Sequence, residues 1–159
     1  MNENNLEKII NNIVGDAIVK EVMSLKLAVK LIETVEEKAA EMGLAVVVAV
    51  SDASGRPIAV HCMDGAYHGS FDVAGNKTYT STAFQMSTAK LSRLCQPGQD
   101  LYGLQFSNNG KVMILGGGEP LMVGKTMIGA LGVSGGSAQE DSDLAAYGAS
   151  ALKEVIKCL

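Results

Sequence analysis

The sequence predicts an α+β domain in which an antiparallel sheet lies between helices. Three observations carry this expectation. Helical periodicities alternate with short apolar runs that turn residues join in pairs, at Ser51–Arg56 and again at Gly124-Lys125. Leu44–Val50 is apolar at nearly every position, which suits a strand covered on both faces. The 159 residues show no internal repeat and fit one domain, large enough to bury a core without metal or disulfide staples.

In residues 1–22, Leu6, Ile9, Ile10, Ile13, Val14, Ala17 and Ile18 recur at helical intervals, and Asn5, Lys8, Asn12, Asp16 and Lys20 occupy the other faces. This predicts an amphipathic helix. It does not read as a secretory signal, because the start carries Glu3 and no basic cluster. Gly15 costs it about 1 kcal/mol relative to Ala, so the helix needs a surface to pack on, either its own domain or another protein. A second helix is expected from the cap Ser24 to about Met42, burying Ala28, Leu31, Ile32, Val35, Ala39 and Met42 and ended by Gly43. Pro57–Met63 then returns antiparallel to Leu44–Val50.

Ser70 or Asp72 is expected to cap a helix of small residues that runs to about Phe84, and a shorter piece spans Ser87–Leu94. Gln96-Pro97-Gly98-Gln99 breaks the chain. Leu101–Asn109 reads as a loop or short helix able to fold over a neighbouring pocket, and Lys111–Leu115 as the third strand. Gly116–Pro120 is too glycine-rich for plain ladder, and Leu121–Val123 with Met127–Val133 forms a last hairpin. Ser137-Ala138-Gln139-Glu140 has capping-box spacing, and Leu144, Gly148, Ala151, Leu152, Val155 and Leu159 face inward on the final helix. Five strands result.

The totals exclude several function classes. Thirteen basic against 17 acidic residues, with a net charge of −4, leave no electrostatic footprint for nucleic acid or an anionic membrane surface. No apolar run approaches the ~20 residues of a membrane span. Cys62, Cys95 and Cys158 lack paired spacing, so reduced thiols and a cytoplasmic setting are expected. Gly118 to Lys125-Thr126 looks superficially like a phosphate loop, but Gly118 and Gly124 are one residue too far apart and a strand follows. There is no nucleophile elbow and no zincin pattern, and no catalytic residue is assigned.

Residues His61–Phe84 concentrate the chemistry: both histidines, Cys62, and Lys77 inside a helix. From Ser24 to about Gly148 the chain resembles the GlcG/HbpS family, which includes the C-terminal domain of PduO-type proteins. Four blocks carry the resemblance: Met63-Asp64-Gly65-Ala66, Asn76-Lys77-Thr78-Tyr79-Thr80, Gly116–Leu121 and Gly129–Gly136. It implies a profilin-like α/β/α sandwich with a five-stranded antiparallel sheet, assembly into homo-oligomers up to octamers, and binding of haem, a related tetrapyrrole or iron. Two positions depart from the family pattern. Cys62 stands where an arginine is common, and His68 where an aliphatic residue is common. The N-terminal helix, outside that pattern, resembles the encapsulation peptides that direct enzymes into bacterial microcompartments, where PduO-type domains also occur.

In an extended strand His61 and Met63 project to one face and Cys62 to the other. Imidazole and thioether are both haem ligands, and without a Cys-x-x-Cys-His motif attachment would be noncovalent. The plainer alternative makes Met63 core and His61 a hydrogen-bonded or exposed strand residue. His68, in a Gly/Ser-rich turn, is the easier residue for a metal to reach. Lys77 is expected either to hold a carboxylate such as a haem propionate or to pair with Asp72 or Asp64 on the surface. Asp64 itself suits a conformation-fixing role in a tight turn. Ser134 and Gly135 precede a helix N-terminus whose N–H groups could take one carboxylate, and Gly117 and Gly118, in a matching block, are grouped with them.

The expectation is therefore a short N-terminal helix over residues 1–22, able to bind microcompartment shell proteins, joined to a domain over residues 23–159. That domain binds haem, or alternatively cobalamin or another tetrapyrrole. The other readings are a small enzyme acting on a tetrapyrrole, corrinoid or pathway metabolite, and a structural cargo protein without a cofactor.

Overall fold

A computed structural model describes residues 22–159; the expected N-terminal helix, apart from Val22, lies outside the described residues. Helix α1 spans Leu25–Glu41, with Ser24 Oγ accepting from Leu27 N–H at 3.1 Å, and Gly43 at φ 72° turns the chain away from its end. Strands β1 (Val47–Asp52) and β2 (Pro57–Cys62) form the expected hairpin. Helix α2 (Ser70–Phe84), the short α3 (Thr88–Leu94) and two 3₁₀ turns, Leu104–Phe106 and Asn108–Gly110, lead to β3 (Gly118–Val123), β4 (Thr126–Ser134) and α4 (Ala138–Lys157).

The sheet is antiparallel in order β2-β1-β4-β3, so among the described residues it has four strands and not five. Lys111–Leu115 is the segment that fails to join it. Its backbone is claimed by a helix side chain: Thr80 Oγ1 accepts from Met113 N–H at 2.8 Å and lies 3.4 Å from the Lys111 carbonyl. Its apolar pattern has another use, because Val112 is buried with Leu91 and Cys95 beneath α3. The edge place goes to β3, including the Gly118-Glu119-Pro120 that composition had set outside the ladder. An edge strand tolerates Pro120, whose missing N–H leaves no inner bond unmade.

One face of the sheet packs Val48, Val50, Leu131 and Val133 against α1 and α4 in the main core. The other face packs Val47 and Ala49 against Ala74 of α2. β1, covered on both sides, is buried along nearly its whole length, as its unbroken apolar run predicts. α4 begins with both halves of a capping box between Ser137 and Glu140. Leu144, Gly148, Leu152 and Val155 point inward, whereas Leu159 lies beyond the helix end and is exposed. α2 starts on Gly69 with no side-chain cap. Neither Ser70 nor Asp72 takes that role, since Ser70 Oγ turns inward to Ser134 Oγ at 3.1 Å.

Candidate functional site

β2 presents His61 opposite Val48 and Cys62 opposite Val47, so the pleat sends His61 to the α1 face and Cys62 to the α2 face. His61 is half-buried, and its Nδ1 lies 3.3 Å from both carboxylate oxygens of Glu36 on α1. That contact occupies one ring nitrogen and leaves Nε2 for another partner. Met63, on the same side, packs against the main core. The chain then turns through Met63–Ala66, where Ala66 N–H donates to the Met63 carbonyl at 3.0 Å and Gly65 takes φ 88°. Asp64 sits exposed at the tip of this turn, in the conformation-fixing setting its sequence suggests.

Two more turns, closed by Ser70 N–H to the Tyr67 carbonyl at 3.0 Å and Phe71 N–H to the His68 carbonyl at 3.3 Å, set His68 at the entry to α2. His68 is exposed. So are its aromatic neighbours Tyr67 (73%) and Phe71 (51%), an apolar platform beside an exposed imidazole. Phe71 also opens a groove of about 260 Å³ between α2 and the β2 edge, lined by Pro57, Val60, Gly75, Tyr79 and Lys111. His61 and His68 therefore serve opposite sides of the sheet. Among the described residues no three His, Cys, Asp or Glu side chains converge as a metal site.

Three of the four sequence blocks meet elsewhere, under α2. Lys77 is 1% exposed and donates to Asp141 Oδ2 and to the Val133 carbonyl, both at 2.7 Å. It thus holds a carboxylate, but one belonging to α4, and it pairs with neither Asp72 nor Asp64. Burial pulls the Lys77 ammonium below its ordinary pKa, and the hydrogen bond and charge of Asp141 pull it back up. Asp141 Oδ1 accepts from Gly136 N–H at 2.9 Å, and Glu140 Oε2 from Ser137 N–H at 2.8 Å. The single carboxylate expected at the Ser134-Gly135-Gly136 loop is thus the chain's own.

Gly117 sits against Lys77 Nζ and Asp141, and Gly118 against the Lys77 carbonyl and Ser81, so a side chain at either would collide with α2 or α4. Gly135, at φ 155°, lies on the backbone of Ala45 and Val46. Asp141 is the residue that sequence reasoning passed over as a site member. Its acidic neighbours on α4 offered a sufficient reason for it, as compensation of the helix dipole, and only the fold shows the partner 64 positions away. Glu119 is the other unforeseen group: half-buried on β3, with burial pushing its carboxyl above the usual range.

A family model described as haem degrading protein HbpS-like matches residues 23–150. An uncharacterized 15.0 kDa protein in the dhaT-dhaS intergenic region of Citrobacter freundii is 39% identical over 123 residues, which are 77% of this chain and 87% of the relative. The corrinoid adenosyltransferase PduO of Salmonella typhimurium is 39% identical over 109 residues, 69% of this chain but 32% of PduO. Among solved structures, that of a PduOC:heme complex superposes with a TM-score of 0.78 at 35% identity, covering 82% of this chain and 94% of the other.

Proposed function

Because this chain belongs to the family described as haem degrading protein HbpS-like, we propose that it binds haem or a related tetrapyrrole noncovalently, with His68 as axial ligand. The carrying observation is the exposed His68 between exposed Tyr67 and Phe71, the second of which lines the α2–β2 groove. An imidazole supplies the iron ligand, and the aromatic surface covers the ring. His61 is the second ligand position, its Nδ1 oriented by Glu36 in the way histidine ligands are commonly held. Met63 gives its thioether to the core and is the weaker choice. Lys77 is bound to Asp141 and not to Asp64, so these two do not form an acid–base pair for the enzyme reading.

An absorption titration with haem, run beside one with cobalamin, tests this. Haem should shift its Soret band on binding. His68→Ala should weaken binding at least ~10–100-fold, the loss that follows removal of a mere hydrogen-bond partner of a metal ligand. Replacing both histidines by Ala should abolish the shift. A spectrum unchanged in the double variant would move the ligand to Met63, Cys62 or an oxygen donor. The same samples report assembly: this reading includes a homo-oligomer, up to an octamer, covering exposed apolar side chains such as Phe106, Leu115 and Met122. A 16.6 kDa particle in light scattering would remove that part.

We place the protein in a microcompartment or diol-utilisation setting, with residues 1–22 as the segment that docks on shell proteins and residues 23–159 as the binding domain. Support comes from the apolar stripe Leu6, Ile9, Ile10, Ile13 and Val14 and from the likeness to PduO. Among the described residues no helix is long and apolar enough to cross a membrane. Fusing residues 1–22 to a soluble reporter should carry it into co-expressed shells, and Ile9→Glu should stop it by burying a charge in the contact. A reporter left outside, with a melting temperature lowered when the segment is deleted from the whole protein, would assign the stripe to the chain's own domain.

A further inference from the structure

Resting on the haem reading above, we propose that Lys111, and not the lysine inside α2, receives the carboxylates of the tetrapyrrole and makes the site selective for carboxylate-bearing rings. Lys77 is closed to a ligand by its burial and its two internal bonds. Lys111 is exposed and lines the groove beside α2. Among the described residues it has no carboxylate partner, and its Nζ rests 5.8 Å from the centroid of the Tyr79 ring.

The support beneath Lys111 is specific. Its carbonyl faces Thr80 Oγ1 at 3.4 Å, and the next N–H but one, that of Met113, donates to the same hydroxyl at 2.8 Å. Asn108, three residues earlier, donates to the Tyr79 hydroxyl at 2.8 Å. The whole 108–113 segment is thereby fastened to α2, with its one cation over the groove.

Phe71, Gly75 and Tyr79 follow one another at intervals of one turn on the face of α2 that lines this groove. From Phe71 to Tyr79 the helix rises roughly 12 Å. His68 precedes Phe71 by three residues at one end of that line and Lys111 lies against Tyr79 at the other, with Val60 and Pro57 of β2 opposite and Asp72 and Asn76 also lining the groove. A flat ring with an iron-binding centre and carboxylates on one edge matches this order, and the long lysine stem allows Nζ to swing from Tyr79 to the carboxylate. Cobalamin, whose corrin side chains are amides, offers Lys111 no ring carboxylate. Asp72, the acidic group on the same groove, lies next to Phe71 at the histidine end, away from where the carboxylates would rest.

Haem and haem dimethyl ester, which share iron and ring but differ in carboxylate charge, are the probes. The wild-type protein, titrated in matched dilute detergent, should bind haem about tenfold more tightly than the ester, as a charge-assisted hydrogen bond implies. Lys111→Gln should erase that preference while keeping the axial-ligand spectrum, and Lys111→Arg should retain it. Melting curves of both variants confirm the fold. A full haem-over-ester preference in Lys111→Gln would overturn the assignment and leave the haem reading standing. No Soret shift with either probe in the wild type would overturn both together.

Discussion

Replacing Lys77 by methionine is expected to lower the unfolding free energy by about 3–5 kcal/mol, the cost of removing one partner from a buried ion pair. Methionine keeps an apolar stem one atom shorter, so the loss reports mainly on the ammonium. That ammonium ties three elements together, since it sits on α2 and bonds to the end of β4 and to Asp141 of α4. Without it Asp141 keeps only the Gly136 N–H and remains a charge sealed from water. Adding Asp141→Asn to Lys77→Met should therefore recover part of the loss, because the group left behind is then neutral and still accepts from Gly136. Urea midpoints at constant slope measure both. A loss below about 1 kcal/mol in Lys77→Met would show that the pair contributes little to the fold.

The same lysine gives a pH signature whose sign follows from its depressed pKa. The folded protein releases the Lys77 proton at a lower pH than the unfolded chain, whose lysine titrates near 10.5. Between those two values the unfolded state holds more protons, so stability from this group rises with pH. Wild-type minus Lys77→Met stability should accordingly grow as pH approaches 10.5 from below. A difference flat across that window would mean that Lys77 stays as basic in the fold as in the open chain.

The helices with local signals were legible. Ser24 and Gly43 bound α1, and Ser137 with Glu140 starts α4, because capping is written within four consecutive residues. β1 was legible for a similar reason, since burial on both faces leaves no polar alternation. What escaped reading depended on partners far along the chain. Val112 and Ile114 have the alternation of a strand, yet Thr80 takes the backbone of that segment, from 31 and 33 positions away. The clustering of Lys77 with the loop before α4 was within reach of the sequence only as shared motif blocks. That the carboxylate there is supplied by Asp141 needed the fold. His68 and His61 stood out as residues, but the pleat of β2 and the turns after it decide that they face different sides.

Gly132→Val should be as damaging as the loss of Lys77, by a steric route. A Cβ at Gly132 would run into the Ala74 carbonyl and come within 2.9 Å of the Thr78 methyl. The first obstacle is helix backbone, so no rotamer change relieves it and α2 must lift from the sheet. Overpacking alone costs about 1–3 kcal/mol, but lifting α2 also strains the bond from Lys77 to Val133, the residue next to the substitution. We therefore expect a loss of at least ~3 kcal/mol, and a double-mutant cycle with Lys77→Met should be non-additive by ~0.5–3 kcal/mol, because both changes break one contact. Gly75, on the groove-lining face of the same helix, meets nothing within 4 Å of an added Cβ. Gly75→Ala should thus gain about 0.5–1 kcal/mol from helix propensity alone. If Gly132→Val instead unfolds within about 1 kcal/mol of wild type, α2 does not rest on the sheet at this glycine, and the account of the buried pair beneath it fails with it.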